Sequence, residues 1–186
     1  MANVTCYVRF YGYLNSDGSA DRTRPGHVDL QICNINGVGF SLDSHTQNID
    51  NAVFSYGSTG NNGVGYVRIF ADSKTNNNIT DDNLLCKYEF TATDTQAMNF
   101  RAMLLQELVY VSSGGSNYQL YKLRASHPYA TYTDARYNSF CATADWCAMF
   151  LGESSLQNYY QQNGYVHNFW DTLGAKHSLY RYFLNR

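Results

Sequence analysis

The sequence predicts an α+β fold in which an antiparallel β-sheet packs against helices, and three observations support this class. In the first half of the chain, short runs of alternating apolar and polar residues are separated by turns rich in Asn, Gly and Asp, which is typical of antiparallel strands. In the second half, two apolar stretches have helical spacing, and each follows residue types that cap helices. The chain has 186 residues and no break in composition, so we expect one domain over residues 1–186.

The alternating runs place the strands in order. In the first run, Cys6, Val8 and Phe10 share one side, and the run ends at an Asn-Ser-Asp-Gly turn followed by a loop over residues 22–26. The next two runs flank an Asn-Ile-Asn segment and are expected to form a hairpin. The predicted strands cover residues 6–11, 27–33, 38–44, 66–70 and 84–90, with a short strand or turn at residues 118–123.

The hairpin predicts a pairing between a histidine and an acid. If its two strands share a core face, Leu30 stands opposite Phe40, and the same register puts His27 opposite Asp43. Opposed side chains have Cβ atoms roughly 4.5–5.5 Å apart, which is close enough for a carboxylate to orient an imidazole and fix its tautomer. The alternative is a solvated polar face, since further polar residues lie on that side: Asp29, Gln31 and Ser41.

Two helices are expected in the second half. One begins after a capping box at Thr93 and Gln96 and is predicted to end near residues 112–115. The other begins near Ser139, a capping residue type, and stops before Gly152, because glycine suits the left-handed residue after a last turn. A further helix is expected over residues 154–162, and amphipathic aromatic sequence from residue 166 onward is expected to close the core.

Cys141 falls in the first turn of the second predicted helix. Backbone N–H groups without helical partners and the positive end of the helix dipole favour thiolate over thiol there, which is how a cysteine becomes a nucleophile. The alternative is a small buried apolar residue, which is what most cysteines are. The five cysteines are odd in number and scattered, so they predict neither a disulfide scaffold nor a structural metal.

Charge and hydropathy exclude several classes of partner. The net charge is −2, with 13 Lys and Arg against 15 Asp and Glu, so no basic surface for nucleic acid is predicted. The N-terminus lacks a basic region followed by an apolar one, and no stretch approaches the roughly 18 apolar residues of a membrane span. We therefore expect a protein made in the cytoplasm without a signal peptide and without a membrane span.

The order of these parts resembles the circularly permuted papain-like hydrolases of the NlpC/P60 superfamily. The resemblance rests on Pro25-Gly-His27 at a strand start, a following strand with a polar residue, a Ser-Tyr-Gly turn, a Thr-Asp-x-Gln helix start, and Tyr-Asn before a cysteine helix that ends Phe-Leu-Gly. It covers residues 27–152. It implies a permuted papain-like fold in which the histidine and its polar partner precede the cysteine, and hydrolysis or acyl transfer at peptide or amide bonds.

The identity of the nucleophile is open within this resemblance. The family pattern Asn-Cys-x-x-Phe/Trp-Val-x-x-x-Leu-Gly aligns without gaps only if Thr143 takes the cysteine place, and Trp-Cys-Ala-Met-Phe around Cys147 resembles the motif of related amidases. A helix that opened at Cys147 would have only five residues before Gly152, whereas one that opens at Cys141 has a full apolar face. We therefore favour Cys141 over Cys147, with a degenerate, inactive site as a third alternative.

The resemblance implies a function and a mechanism. Cys141 would attack a carbonyl to form a thioester that water releases, with His27 as its base and Asp43 as the residue that orients His27. Such a site uses no metal and no cofactor. The expected substrate is an amide bond in the stem peptides of bacterial peptidoglycan, cut by an antibacterial effector that type VI secretion delivers to the periplasm of a target cell, with an immunity protein as a further partner.

Two other functions compete with this expectation. One is a non-catalytic β-rich binding or structural module in which the many Tyr and Asn side chains contact carbohydrate. The other is lipid acyl transfer or hydrolysis, as in the acyltransferase-like branch of the same superfamily. No basic amphipathic stretch or membrane anchor supports the lipid version.

Overall fold

The computed structural model describes residues 3–35, 41–47, 49–58, 65–71, 83–114, 118–127 and 139–151. In chain order they form β1 (Asn3–Leu14), β2 (Ala20–Cys33), β3 (Ala52–Ser58), β4 (Gly65–Ala71), β5 (Leu84–Thr93), α1 (Asp94–Glu107), β6 (Leu108–Ser113), β7 (Tyr118–Leu123) and α2 (Ser139–Leu151). The strands make one antiparallel sheet in the order β5-β1-β2-β3-β4-β7-β6. The predicted α+β class with an antiparallel sheet is confirmed, and the permuted papain-like topology stays a prediction.

The core lies between one face of this sheet and the two helices. Val8 of β1 pairs with Leu30 of β2, and both side chains are completely buried. Phe100 from α1 and Trp146 from α2 both meet Phe54 of β3 edge to face, with ring centroids 6.2 and 6.1 Å apart. Alternation along each strand therefore sends every second residue toward the helices and the residues between them to the opposite face.

The predicted hairpin between β2 and residues 38–44 is wrong. Leu30 pairs with Val8 on one side and with Phe54 on the other, so both edges of β2 are already taken at this point. Leu30 therefore cannot pair with Phe40, which itself lies outside the described residues. The alternation in β2 is real, but β1 and β3 supply its partners, and the register that opposed His27 to Asp43 is lost with the hairpin.

The start of β2 is irregular where a loop was predicted. Residues 22–26 belong to the strand, and its pairing with β1 shifts register on both sides of Gly12. A Cβ atom at Gly26 would lie only 2.4 Å from the Cα of Tyr13, so the two backbones approach more closely than any side chain allows. This contact fixes the path of the strand immediately before His27.

The capping box of α1 is confirmed, but the helix is shorter than predicted. Thr93 Oγ1 accepts a hydrogen bond of 3.1 Å from the Gln96 backbone, and Gln96 Oε1 accepts one of 2.9 Å from the Thr93 backbone. The helix ends at Glu107 instead of near residues 112–115, because the β-branched and aromatic run that follows joins the sheet beside β7 as β6.

The bounds of α2 agree with those predicted, and its buried face contains Phe140, Ala144 and Cys147. In the described parts of the chain, neither helix has the length and apolar character that crossing a membrane requires. The helix predicted over residues 154–162 and the segment from residue 166 onward lie outside the described residues.

Candidate functional site

A hydrogen bond joins His27 to Ser55 on the sheet face opposite the helices. Both residues alternate with core residues, His27 with Val28 and Ser55 with Phe54, so both side chains point away from α1 and α2. The imidazole Nε2 of His27 lies 2.9 Å from the Oγ of Ser55. Ser55 is buried and His27 keeps partial contact with solvent. The pair therefore links β2 to β3 while leaving the imidazole partly accessible.

The surroundings of His27 keep its imidazole neutral. Burial is the main cause that lowers the pKa of His27 to about 4, and the positive charges of Arg9 and Arg68 lower it further. The ordinary value is about 6.5, so His27 is uncharged at neutral pH. A neutral imidazole carries one N–H and one lone pair, which is the form that acts as a general base.

Arg9 and Asp29 form a buried ion pair beside the histidine. Arg9 donates two hydrogen bonds to the Asp29 carboxylate, from Nε at 2.7 Å and from Nη2 at 2.9 Å. Burial raises the pKa of Asp29, while Arg9 and Tyr11 act in the opposite direction. Tyr11 is buried, with the Arg9 guanidinium 5.6 Å from its ring centroid and the His27 ring 6.2 Å away. The two charges largely offset each other, and they anchor the face on which His27 lies.

Arg68 lies on the other side of Ser55. The pairing of β3 with β4 puts Arg68 directly opposite Ser55, on the same sheet face. Its guanidinium lies 5.5 Å from the ring centroid of Tyr118, and its Nη1 would be 3.2 Å from a Cβ built at Gly57. The absence of a side chain at Gly57 therefore lets the guanidinium lie close against the backbone of β3.

Asp43 is not the partner of His27. The hydroxyl of Tyr121 donates its one proton to the Asp43 carboxylate, with 2.9 Å to Oδ1 and 2.8 Å to Oδ2, and Oδ1 also accepts a hydrogen bond of 2.9 Å from the backbone N–H of His45. Tyr121 is a buried residue opposite Val67 on the core face of the sheet. Asp43 therefore lies on the helix side and His27 on the other. Burial and this carboxylate raise the pKa of Tyr121. Through these hydrogen bonds, Asp43 anchors its own turn to the sheet.

Cys141 lies in the first turn of α2, as predicted, but its side chain is outside the described part of the structure. Two residues further on, the hydroxyl of Thr143 lies 3.5 Å from the carbonyl oxygen of Val28. The start of α2 thus touches the residue next to His27. The helix lies on the core face, however, and the His27 imidazole on the opposite one. The roles of Cys141 and His27 as nucleophile and base therefore stay a prediction.

The competing nucleophile, Cys147, is completely buried in the core. It packs in the cluster that joins α2 to the sheet, on the apolar face of the helix. His127 lies in a turn with its Nε2 3.8 Å from the Glu107 carboxylate, and burial lowers the pKa of His127. His167 and His177 lie outside the described residues. Among the residues that are described, no group of three metal-ligating side chains is present.

Sequence reasoning missed Ser55, Arg9 and Arg68 as parts of this site. The sequence predicts Ser55 only as part of a turn, although it is a polar residue inside an apolar strand, at an alternate position that faces away from the core. Arg9 and Asp29 had a recognisable signal, since both occupy the non-core positions of strands that are close neighbours in the chain. Arg68 had none, because its partnership depends on the pairing of β3 with β4.

Comparison of the chain with models of known families, with curated proteins and with solved structures finds no match in any of the three.

Proposed function

We propose that the protein is a cysteine hydrolase of amide bonds, in which His27 is the general base, Cys141 is the nucleophile, and Ser55 has the orienting role that was predicted for Asp43. The observation that carries this proposal is the hydrogen bond of 2.9 Å between His27 Nε2 and Ser55, in surroundings whose burial lowers the pKa of the imidazole. The contact between Thr143 and Val28 supports it, because it brings the start of the cysteine helix to the strand that carries the imidazole.

The hydrogen bond to Ser55 is compatible with the tautomer that the mechanism needs, because a hydroxyl can accept from Nε2–H. If Nε2–H donates to Ser55 Oγ, the lone pair is on Nδ1, which is then free of the Ser55 contact and accepts the proton of the Cys141 thiol. The thiolate attacks the carbonyl carbon, the imidazolium returns the proton to the leaving amine, and water then hydrolyses the thioester with His27 again as base. The backbone N–H of Cys141, at the helix start, stabilises the oxyanion.

The sheet imposes a geometric requirement on this mechanism. β2 pairs with β3 only from Leu30 to Ile32, so the β3 side of His27 lies beyond the paired stretch. The sulfur and the imidazole start from opposite faces of the sheet, so the mechanism needs them to meet at this unpaired edge of β2. The proposal therefore requires the catalytic pair to form around this edge.

The proposed substrate is an amide bond in the stem peptides of peptidoglycan. The family resemblance supports this choice, as do the net charge of −2 and the 17 tyrosines, which suit a polar glycopeptide better than nucleic acid or a lipid surface. A role as a secreted antibacterial effector with an immunity partner belongs to the same proposal and rests on the resemblance alone.

Isolated sacculi test the proposal. Wild-type protein should release soluble fragments that mass spectrometry identifies by a new amine terminus, and Cys141→Ala and His27→Ala should release none. Cys33→Ala is the matched control, because Cys33 is a partly buried cysteine at the far end of β2, and it should keep full activity. Full activity of both Cys141→Ala and His27→Ala would refute the site. If the sacculi stay intact while Cys141 still reacts rapidly with electrophiles, the proposed substrate is wrong.

A non-catalytic binding module is a second candidate, and one observation favours it: α2 and the His27 imidazole lie on opposite faces of the sheet. In that case the protein would sediment with sacculi without cutting them. Cys141→Ala would then sediment as well as the wild type, whereas substitution of residues around His27 would weaken the binding.

A further inference from the structure

Arg68 occupies a central place on the sheet face that carries His27. It is the direct cross-strand neighbour of Ser55, and Ser55 holds the imidazole by a hydrogen bond of 2.9 Å. Directly opposed residues in a sheet have Cβ atoms roughly 4.5–5.5 Å apart. The guanidinium, the hydroxyl and the imidazole therefore follow one another across β4, β3 and β2.

A carboxylate offsets the charge of Arg9, but no described carboxylate does so for Arg68. Arg9 is paired with the Asp29 carboxylate at 2.7 and 2.9 Å. Over the described ranges of the chain, no carboxylate lies within ion-pair distance of Arg68, and its contact is with the ring of Tyr118. His27 is neutral. The cluster around Ser55 thus carries one positive charge more than it carries negative charges.

The environment of Arg68 holds its guanidinium ready for a planar anion. Nη1 lies close against Gly57, with 3.2 Å to the place that a Cβ would take, and the Tyr118 ring is 5.5 Å away. The aromatic ring and the adjacent backbone limit the orientations of the side chain without using its N–H groups in an ion pair. Arg68 keeps partial contact with solvent. A guanidinium fork of this kind binds a carboxylate through two parallel hydrogen bonds.

We infer that Arg68 forms a carboxylate-binding subsite beside the His27 and Ser55 pair, and that its ligand is a peptide with a free carboxylate group. The position of this subsite relative to a bond that is cut rests on the proposed hydrolase function. The binding of the carboxylate itself does not. In a substrate, the subsite would hold the carboxylate on one side of Ser55 while the reacting amide lies toward His27.

Binding of a defined peptide tests this inference. The probes are N-acetyl-alanyl-alanine, which ends in a carboxylate, its C-terminal amide, and inorganic phosphate. They are titrated by NMR into the full chain with Cys141→Ala, which prevents turnover. The acid should bind with fast, saturable shifts, and Arg68→Gln should weaken it by roughly tenfold or more, since a charge-assisted bidentate contact is lost. The amide lacks the carboxylate, so its affinity for the parent protein should be as low as the affinity of the acid for Arg68→Gln.

Lys87→Gln provides a matched control, because Lys87 is an exposed cation near the edge of the same face, above the ring of Tyr7. It should leave the affinity for the acid unchanged. Arg68→Lys keeps the charge without the planar fork and should bind the acid several-fold more weakly than the parent protein. It decides the question if Arg68→Gln proves unfolded by circular dichroism.

Three results would overturn the inference. The acid and the amide could bind with equal affinity, Lys87→Gln could lower the affinity for the acid as much as Arg68→Gln does, or phosphate could bind saturably while the acid does not bind. The result is separable from the proposed function. Arg68-dependent binding of the acid with uncut sacculi would support the subsite and refute the hydrolase. Cut sacculi with no loss of acid binding in Arg68→Gln would refute the subsite alone.

Discussion

The Nε2 of His27 and the Oγ of Ser55 lie 2.9 Å apart across β2 and β3, so a serine on the neighbouring strand has the place that the sequence assigned to Asp43. The exchange has a mechanistic consequence. A carboxylate would stabilise an imidazolium, whereas a hydroxyl orients the ring without adding charge. Burial and the charges of Arg9 and Arg68 lower the pKa of His27, and the hydroxyl does not counteract them, so the imidazole keeps the neutral form that the proposed base requires.

Loss of the Ser55 hydroxyl should impair the orientation of His27 more than the fold. Ser55→Ala is expected to lower kcat for amide hydrolysis about tenfold or more while leaving KM nearly unchanged, because it removes a positioning contact and no substrate contact. Ser55→Thr keeps the hydroxyl and should restore most of the rate. Steady-state kinetics on a fluorogenic peptide measure both. Equal activity of Ser55→Ala and wild type would show that Ser55 has no positioning role.

The neutral state of His27 should make stability depend on pH. The folded pKa of about 4 lies below the unfolded value of about 6.5, so the unfolded chain binds more protons between these values. The contribution of His27 is thus fully present above about pH 6.5 and is lost as the pH falls toward 4, by up to about 3 kcal/mol. Urea denaturation at a series of pH values from 7 to 4 measures how the free energy of unfolding changes with pH.

The His27→Gln variant is the comparison for that titration. Glutamine cannot be protonated in this range, so the variant should show a flatter loss of stability between pH 6.5 and 4 than the wild type. Equal slopes for the two proteins would mean that the imidazole is not held neutral in the folded state.

The cysteines should differ sharply in reactivity. Iodoacetamide at about pH 6, well below the ordinary thiol pKa of about 8.5, is expected to label Cys141 first, since the helix start favours its thiolate. Cys147 and Cys6 are completely buried, and burial raises the pKa of Cys6, so both should react last. Mass mapping of tryptic peptides over time gives the order. Labelling of Cys147 before Cys141 would exclude Cys141 as the nucleophile.

Removing one partner of the Arg9–Asp29 ion pair should destabilise the protein more than removing both. Asp29→Asn leaves the Arg9 charge buried without its carboxylate and is expected to destabilise the protein by about 3–5 kcal/mol. Joint replacement, Arg9→Met with Asp29→Leu, removes both charges and should recover most of that loss. Urea denaturation of the single and double variants measures the difference. A double variant less stable than Asp29→Asn would show that the pair contributes net stability.

The sequence predicted the fold class, the cap of α1 and the bounds of α2, because each depends on local features. Thr93 and Gln96 satisfy each other within one turn, and the apolar face of α2 is contained in thirteen residues. The end of α1 was missed because an apolar run continues past Glu107, and only the presence of β7 as a partner makes that run a strand.

The candidate site was predicted only in part for a related reason. His27 and Cys141 could be placed on their elements from local pattern, but the partners of His27 depend on which strands lie beside β2. Two alternating runs close in sequence favoured a hairpin, whereas β2 pairs with β1 and β3. That choice of neighbours decides that Ser55, and not Asp43, reaches the imidazole.

The strand order also sets the sequence in which the sheet can be assembled. β1 lies between β2 and β5 in the sheet. Only residues 15–19 separate β1 from β2 in the chain, whereas the pairing of Asn3 with Thr93 of β5 spans nearly the whole first half of the chain. Closing the first loop costs little entropy and closing the second costs more. The hairpin of β1 and β2 should therefore form early, and the docking of β5 should come late. Strand pairings between segments as distant as β1 and β5 predict folding in milliseconds to seconds, slower than in helical proteins of similar size.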